Sequence, residues 1–168
     1  ILDNEGLLKR THGGAVKLSK ATYEPTSDFK LSQKSEEKKK IAEYAIQLIE
    51  NSDTIALDTG TTTLELAKLL PSKHGLTVIT NDIAIVLEQN SDAKVIMLGG
   101  IIRRGFNCTA GSFAAKMMQP FNVDKAFIAS NAFSFESGFS TPSTEQAEVK
   151  RAMIHSAAKV NMLIDSSK

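Results

Sequence analysis

An α/β fold, Rossmann-like with a mostly parallel sheet flanked by helices, is predicted by three observations. Short apolar segments recur near residues 54–58, 77–80, 94–98, 125–129 and 160–165. They are near-continuously apolar rather than alternating, the pattern of strands buried on both faces. Helical segments separate them, which is how parallel strands are connected. Finally, polar or glycine clusters follow the strands: residues 58–63, Asn81-Asp82, Gly99-Gly100 with Arg103, Ser130-Asn131, and residues 165–168. Open α/β sheets bind ligands beyond the carboxyl ends of their strands, beside a switch in strand order. Five such ends can converge on one crevice.

The 168 residues suffice for one well-buried domain. A hydrophobic share of 42% and a charged share of 23% are those of a soluble globular protein. No apolar run reaches membrane-spanning length and no leader pattern opens the chain, so no membrane partner is expected. The single cysteine, Cys108, allows no internal disulfide and suits a reducing cytoplasm. The chain opens without Met, as a fragment would. Net charge is +1, but residues 1–20 carry four basic against two acidic side chains and the remainder is net −1. The bulk of the chain is therefore no match for a nucleic-acid backbone.

Taken in order, residues 1–16 read as a hairpin arm and linker. Asp3-Asn4-Glu5-Gly6 is a turn signal, Leu7-Leu8 begins a strand, and Gly13-Gly14 breaks it. Residues 17–34 are polar and read as a connector. A helix is expected over 36–50, capped by Ser35, with Ile41, Ala45, Leu48 and Ile49 as its buried stripe. The Lys38-Lys39-Lys40 run is read as a solvated face paired with glutamates. A strand over 54–58 leads through Asp58-Thr59-Gly60-Thr61-Thr62-Thr63 into a helix over 63–70, stopped by Pro71. The strand at 77–80 is followed by a helix to Gln89, and the strand at 94–98 by a loop over 101–110. A helix over 111–118 ends before Pro120. The strand at 125–129 leads into a loop over 130–142. A helix over 144–158 and a strand over 160–165 complete the chain.

Several chemistries lack their signature. There is no G-x-G and no P-loop pattern, so neither the dinucleotide nor the Walker fingerprint is present. The histidines are scattered and one cysteine makes no thiolate cluster, so no metal site is expected. No nucleophile elbow occurs. The threonine-rich turn after the first strand is different. Gly60 permits close backbone approach, and the hydroxyls and N–H groups of Thr61, Thr62 and Thr63 can donate to an anion at a helix N-terminus. The competing reading is a capping box, since Thr62 and Glu65 have T-x-x-E spacing. Arg103 or Arg104, and Lys168 at the last strand end, could add positive charge. Ser143-Thr144-Glu145-Gln146 is a second capping box.

The chain resembles the C-terminal effector-sensing region of DeoR-type bacterial transcriptional repressors. The matching segments are Arg10-Thr-His-Gly-Gly-Ala15, Leu57-Asp-Thr-Gly-Thr-Thr-Thr63, Val78-Ile-Thr-Asn81, Leu98-Gly-Gly100, Val123-Asp-Lys-Ala-Phe127, Gly138-Phe-Ser-Thr-Pro142, Glu148-Val-Lys-Arg-Ala-Met153 and Asp165-Ser-Ser-Lys168. They run in the family's order over nearly the whole chain. The resemblance implies that residues 1–16 are the remnant of a winged-helix wing and linker, and that residues 17–168 are the sensing domain. It implies a fold like ribose-5-phosphate isomerase and the CoA transferases, a phosphorylated sugar as effector, and a homo-oligomer, dimer or tetramer. Operator DNA would be met through a winged helix-turn-helix absent from this sequence. The effector contacts it implies fall on Asp58, Gly60, Thr61, Thr62, Thr63 and Lys168, with Asn81, Gly99, Gly100, Arg103 and Asn131 around the sugar. No catalytic residue, metal or cofactor is expected. The sequence departs from the family's pattern at Ser130-Asn131-Ala132-Phe133, where a Gly-Ala-Asp/Asn-Gly-like stretch is common, and at Gln146, where Glu is common.

Two functions follow. The first is a ligand-sensing domain of a repressor of sugar metabolism, which needs no catalytic group. The second is a phosphosugar isomerase or deaminase of the same fold, for which Glu136 and Glu145 are the nearby candidate carboxylates and which Asn131 cannot serve as a base.

Overall fold

The computed structural model describes residues 8–17, 24–88 and 91–168. Its centre is a five-stranded, all-parallel sheet of β3 (Thr54–Leu57), β4 (Thr77–Thr80), β5 (Lys94–Met97), β8 (Val123–Ala129) and β11 (Ala157–Leu163). The spatial order is β11-β8-β3-β4-β5. The chain therefore grows outward from β3 to one edge, then returns to the other side of β3. That reversal places the switch in strand order between β3 and β8, where an open α/β sheet forms its crevice.

Each strand feeds two cores, as its continuous apolar sequence requires. On one face Ile55, Leu57, Val78, Phe127 and Leu163 pack with α2 (Ser35–Ala45) and α3 (Thr61–Leu69) through Ala42, Ala45, Leu66 and Ala67. On the other, Ala56, Ile79 and Ile128 pack with α5 (Ser112–Met118) and α6 (Thr144–His155) through Ala114, Met118, Val149 and Met153. Fully buried side chains of this size each contribute about 1.5–3 kcal/mol. The remaining helices are short: α1 (Ser27–Leu31) and α4 (Ile83–Leu87).

Several sequence expectations change. The first long helix ends at Ala45 and continues as a single 3-10 turn over Ile46–Leu48. Ser35 lies inside it, and the capping position is Lys34 in a left-handed conformation with no side-chain cap. Residues 17–34 are not all connector, since they contain α1. The two expected loops are hairpins. One joins β6 (Ile101–Arg103) to β7 (Cys108–Ala110), the other β9 (Ala132–Ser134) to β10 (Gly138–Ser140). Both segments are too short and too mixed in polarity to show a period of two. The helix expected to reach Gln89 stops at Leu87, and Gln89 itself lies outside the described residues. At the beginning, β1 (Leu8–Thr11) pairs with β2 (Gly14–Lys17) across a tight turn. The turn signal at residues 3–6 also lies outside the described residues.

Candidate functional site

The end of β3 and the end of β8 are fastened together by one carboxylate. Asp58 is fully enclosed, and its Oδ2 accepts the Ala129 N–H (3.0 Å) and the Lys150 ammonium. Lys150, reaching down from α6, also donates to the Ala129 carbonyl (2.9 Å). Burial pushes the Asp58 carboxyl up, opposed by Lys150 and by the Ala129 and Thr59 N–H groups. A second carboxylate, Asp82, folds the turn from the other side. Its Oδ2 accepts the Thr59 hydroxyl (2.7 Å) and the Gly60 N–H (3.3 Å), while Oδ1 caps α4 through the Ala84 N–H (2.8 Å). Burial raises Asp82 too, against the hydrogen bonds from Thr59, Ala84, Ile85 and Gly60.

Between these anchors the turn passes close to β8. A Cβ at Gly60 would lie 2.7 Å from the Ala129 Cβ, so this position demands glycine for lack of room, its backbone being extended. Gly60 is the N-cap of α3, and the helix begins at Thr61 rather than at 63. That start removes the capping-box reading, because Thr62 is already in the first turn. Glu65 instead pairs with Lys68 (2.8 Å). Thr63 turns inward and donates to the Gly60 carbonyl (2.8 Å). The Thr61 and Thr62 hydroxyls find no partner among the described residues. They stand beside the first-turn N–H groups, which have no intrahelical acceptor.

Thr61 and Thr62 open onto a cavity of about 680 Å³, within the range of small-ligand sites. Gly60, Asn131 and Lys168 also line it. Of the other residues singled out by sequence, Asp58 and Thr63 lie beneath its floor. Asn81 is buried and donates to the Thr109 carbonyl (2.8 Å), bracing the β6–β7 hairpin. Gly99 and Gly100 meet Met117 and Ala114 of α5 and do not line the cavity. Arg103 does not line it either. Its guanidinium stacks on Phe106 (3.7 Å to the ring centroid) and sits 2.7 Å from Glu24 Oε2, without hydrogen-bond geometry.

The wall opposite the floor comes from the stretch read as a connector. Glu24 is nearly buried, and its Oε1 accepts Lys30 Nζ (2.6 Å) and Asn131 Nδ2 (2.8 Å). Burial alone would raise this carboxyl, but Lys30, Asn131 and Arg103 together hold it below its ordinary value. Lys38 is buried as well, contrary to the reading of a solvated face, and donates to the carbonyls of Lys30 and Gln33. Lys39 does pair with Glu36, at 3.0 Å. Burial lowers both Lys30 and Lys38, and Lys168 adds repulsion to each. Five lysines, at 30, 34, 38, 150 and 168, thus line one cavity together with two carboxylates, Glu24 and Asp165. Only Lys168 of the five reads from sequence as a site residue, Lys38 reading as part of a solvated face. Lys150 reaches Asp58 across ninety-two positions, a separation no local pattern reveals.

The sequence matches the DeoR C-terminal sensor domain over residues 33–168. It is 35% identical, over 99% of its length, to the HTH-type transcriptional regulator GlpR of Haloferax volcanii, covering 66% of that protein. It is also 35% identical to the uncharacterized HTH-type transcriptional regulator FruR of Bacillus subtilis, over 99% of this chain and 67% of that one. Against the transcriptional repressor AccR of Agrobacterium fabrum the identity is 34%, over 99% and 66%. The chain thus spans about 66% of the length of the curated relatives it matches. Among solved structures it resembles ribose 5-phosphate isomerase A of Methanocaldococcus jannaschii, with a TM-score of 0.58 at 15% identity, covering 81% of this chain and 55% of that one. The Plasmodium falciparum ribose 5-phosphate isomerase gives 0.55 at 15% identity, covering 79% and 52%. At such identities the likeness is one of fold alone.

Proposed function

The chain belongs to the DeoR family of transcriptional regulators, carrying its C-terminal sensor domain, and we propose that its cavity binds a phosphorylated sugar as the effector of a DNA-binding repressor. The observation that carries this reading is the meeting of α3 with the lysines. Two unpartnered hydroxyls and a helix N-terminus open onto a cavity that five lysines also line, of which Lys30, Lys34, Lys38 and Lys150 are engaged with Glu24, Glu37, two carbonyls and Asp58. That arrangement favours a multiply charged anion over a neutral sugar. Ser130, Asn131, Thr141 and Gln146 line the remainder and offer donors and acceptors to hydroxyl groups.

The sensor reading is favoured over an isomerase or deaminase by where the carboxylates stand. Glu136 and Glu145 are exposed and do not line the cavity. Glu24 does, but it is committed to Lys30, Asn131 and Arg103 and held ionised. Asp165 accepts from the Ser167 N–H (2.8 Å) and the Ser167 hydroxyl. Neither resembles a base poised near neutral pH. In the whole protein, effector binding would bias the arrangement of winged helices on operator DNA through its differential affinity for one state. A repressor built on a dimer needs at least two chains.

A panel of sugar phosphates tests the reading. A cognate compound at a hundredfold excess over its dissociation constant adds about 2.7 kcal/mol and raises the melting temperature, whereas the unphosphorylated sugar does not. Thr62→Glu places a carboxylate in the first turn and should abolish the shift, at some cost in unliganded stability because Thr62 is buried. A complete panel without any shift overturns the proposal. Turnover of ribose 5-phosphate or glucosamine 6-phosphate would select the enzyme instead.

A further inference from the structure

Helix α6 turns one face toward the cavity, and from that face Gln146 and Lys150, one turn apart, line it. The two side chains differ in how far they are engaged. Lys150 is held by Asp58 and by the Ala129 carbonyl. Gln146 is only 4% exposed, yet its amide is poorly satisfied. Nε2 donates to the Cys108 sulfur at 3.5 Å, a weak acceptor. Among the described residues Oε1 receives only the Thr141 hydroxyl, at 3.4 Å. That is well beyond the roughly 2.5–3.0 Å of a good O–H···O bond.

Other uncharged groups of the cavity lining already have close partners. The Ser130 hydroxyl lies 2.9 Å from the Ala132 carbonyl, Asn131 Nδ2 donates to Glu24 at 2.8 Å, and the Thr59 hydroxyl donates to Asp82 at 2.7 Å. A buried amide oxygen with one long bond is the exception, and buried polar groups are rarely left so. The orientation of the amide decides which atom a ligand can use. Nε2 is turned to Cys108, which is fully buried. Oε1 is turned to Thr141, which itself lines the cavity, so Oε1 is the atom on the ligand's side. A carbonyl oxygen with a free lone pair calls for a donor. A phosphate dianion offers only acceptors, whereas a sugar hydroxyl offers a proton.

We propose that Gln146 is a specificity-determining residue of the cavity, accepting a hydroxyl of the effector's sugar at Oε1, with Thr141 beside it. This rests on the phosphosugar reading and divides its work between two helices. The N-terminus of α3 takes the phosphate, and α6 reads the sugar. Neutrality suits Gln146 to that task. Asp58 and Asp82 already bury two carboxylates close to the turn. An amide accepts from a hydroxyl without adding a third negative charge beside a site for an anion. A site built to bond a hydroxyl also discriminates strongly against ligands that lack one.

Titration calorimetry of the 168-residue chain with inorganic phosphate, ribose 5-phosphate, glucose 6-phosphate and glucosamine 6-phosphate is the test. The unaltered chain should bind at least one sugar phosphate about 10-fold or more tighter than inorganic phosphate. Gln146→Met, unbranched and similar in volume, removes the acceptor. It should lower that preference about 10-fold and leave the affinity for inorganic phosphate unchanged. Gln146→Glu keeps an acceptor oxygen. Its charge should weaken all four ligands, yet most of the preference should survive, which a purely structural role of Gln146 does not predict. A preference unchanged in Gln146→Met overturns the proposal and leaves the phosphosugar reading standing. So does a loss of inorganic phosphate as large as the loss of the sugar phosphate. A parent chain with no preference for any sugar phosphate overturns it too. A parent chain that binds none of the four fails the phosphosugar reading itself, and the role of Gln146 with it.

Discussion

The floor of the cavity and its wall close the same space by different means. The floor, where β3, β8 and α3 meet, rests on two apolar clusters and is locked by the enclosed Asp58–Lys150 pair. The wall, residues 24–34 with α1, contributes no buried residue from its helix. It is held by Glu24, by Lys38 on the carbonyls of Lys30 and Gln33, and by one backbone bond from the Ser27 N–H to the Gly105 carbonyl (2.9 Å). Apolar burial resists local opening in a way that a few polar ties do not. The floor is thus the firmly packed part of the cavity, and under the proposed function the wall is the part whose position an effector would set. Their carboxylates also titrate in opposite senses, because burial dominates at Asp58 and Asp82 whereas cations and Asn131 dominate at Glu24.

The largest expected effect comes from breaking the floor. Asp58→Ala leaves the Lys150 ammonium without its counter-charge in an enclosed site and should cost about 3–5 kcal/mol, read by chemical denaturation. Adding Lys150→Met should recover much of the loss. If Asp58→Ala is tolerated without loss, the pair is not what locks the strand ends.

Gly60→Ala should cost less, about 1–3 kcal/mol by overpacking against Ala129. Because the tighter of the two obstructions is the Ala129 methyl group, at 2.7 Å against 3.2 Å for Thr63 Oγ1, Ala129→Gly should restore part of that stability in the double variant. No recovery would mean that the turn fails for another reason.

The smallest global effect belongs to the wall. Glu24→Gln should leave overall unfolding almost unchanged, yet speed amide exchange in residues 24–34 severalfold. The pH dependence has a defined sign. Glu24 has a folded pKa below its unfolded one, so its contribution is complete above the ordinary carboxylate value, about 4.3, and disappears as pH falls through the depressed folded value. Acidification should therefore accelerate exchange in the wall of the unaltered chain and have little such effect in Glu24→Gln. Equal acid sensitivity in both would remove Glu24 as the tie.

The strand order explains which parts of this contrast were legible beforehand. Apolar runs followed by polar clusters are local features, so the parallel sheet and the threonine turn are readable from sequence. The start of α3 is not, because T-x-x-E and a glycine N-cap compete for the same residues, and the packing of Gly60 on Ala129 decides between them. Arg103 reads as a ligand for an anion, yet it faces Glu24, a residue seventy-nine positions earlier in a segment with no periodicity. Glu24 and Lys30 carry no motif, and Lys150, although inside the Glu148–Met153 segment, shows no local sign of its partner Asp58.

By itself the sequence determined the layered α/β architecture, the position of the threonine-rich turn at a strand end and the family. Hydrophobic period, turn chemistry and ordered motifs are properties of neighbouring residues. The tertiary structure decided which hydroxyls remain free, which lysines share one cavity and which carboxylates are already engaged. Those depend on contacts between residues far apart in the chain, such as Asp58 with Lys150 and Glu24 with Asn131, whose charges acquire their meaning only once burial has removed the water between them.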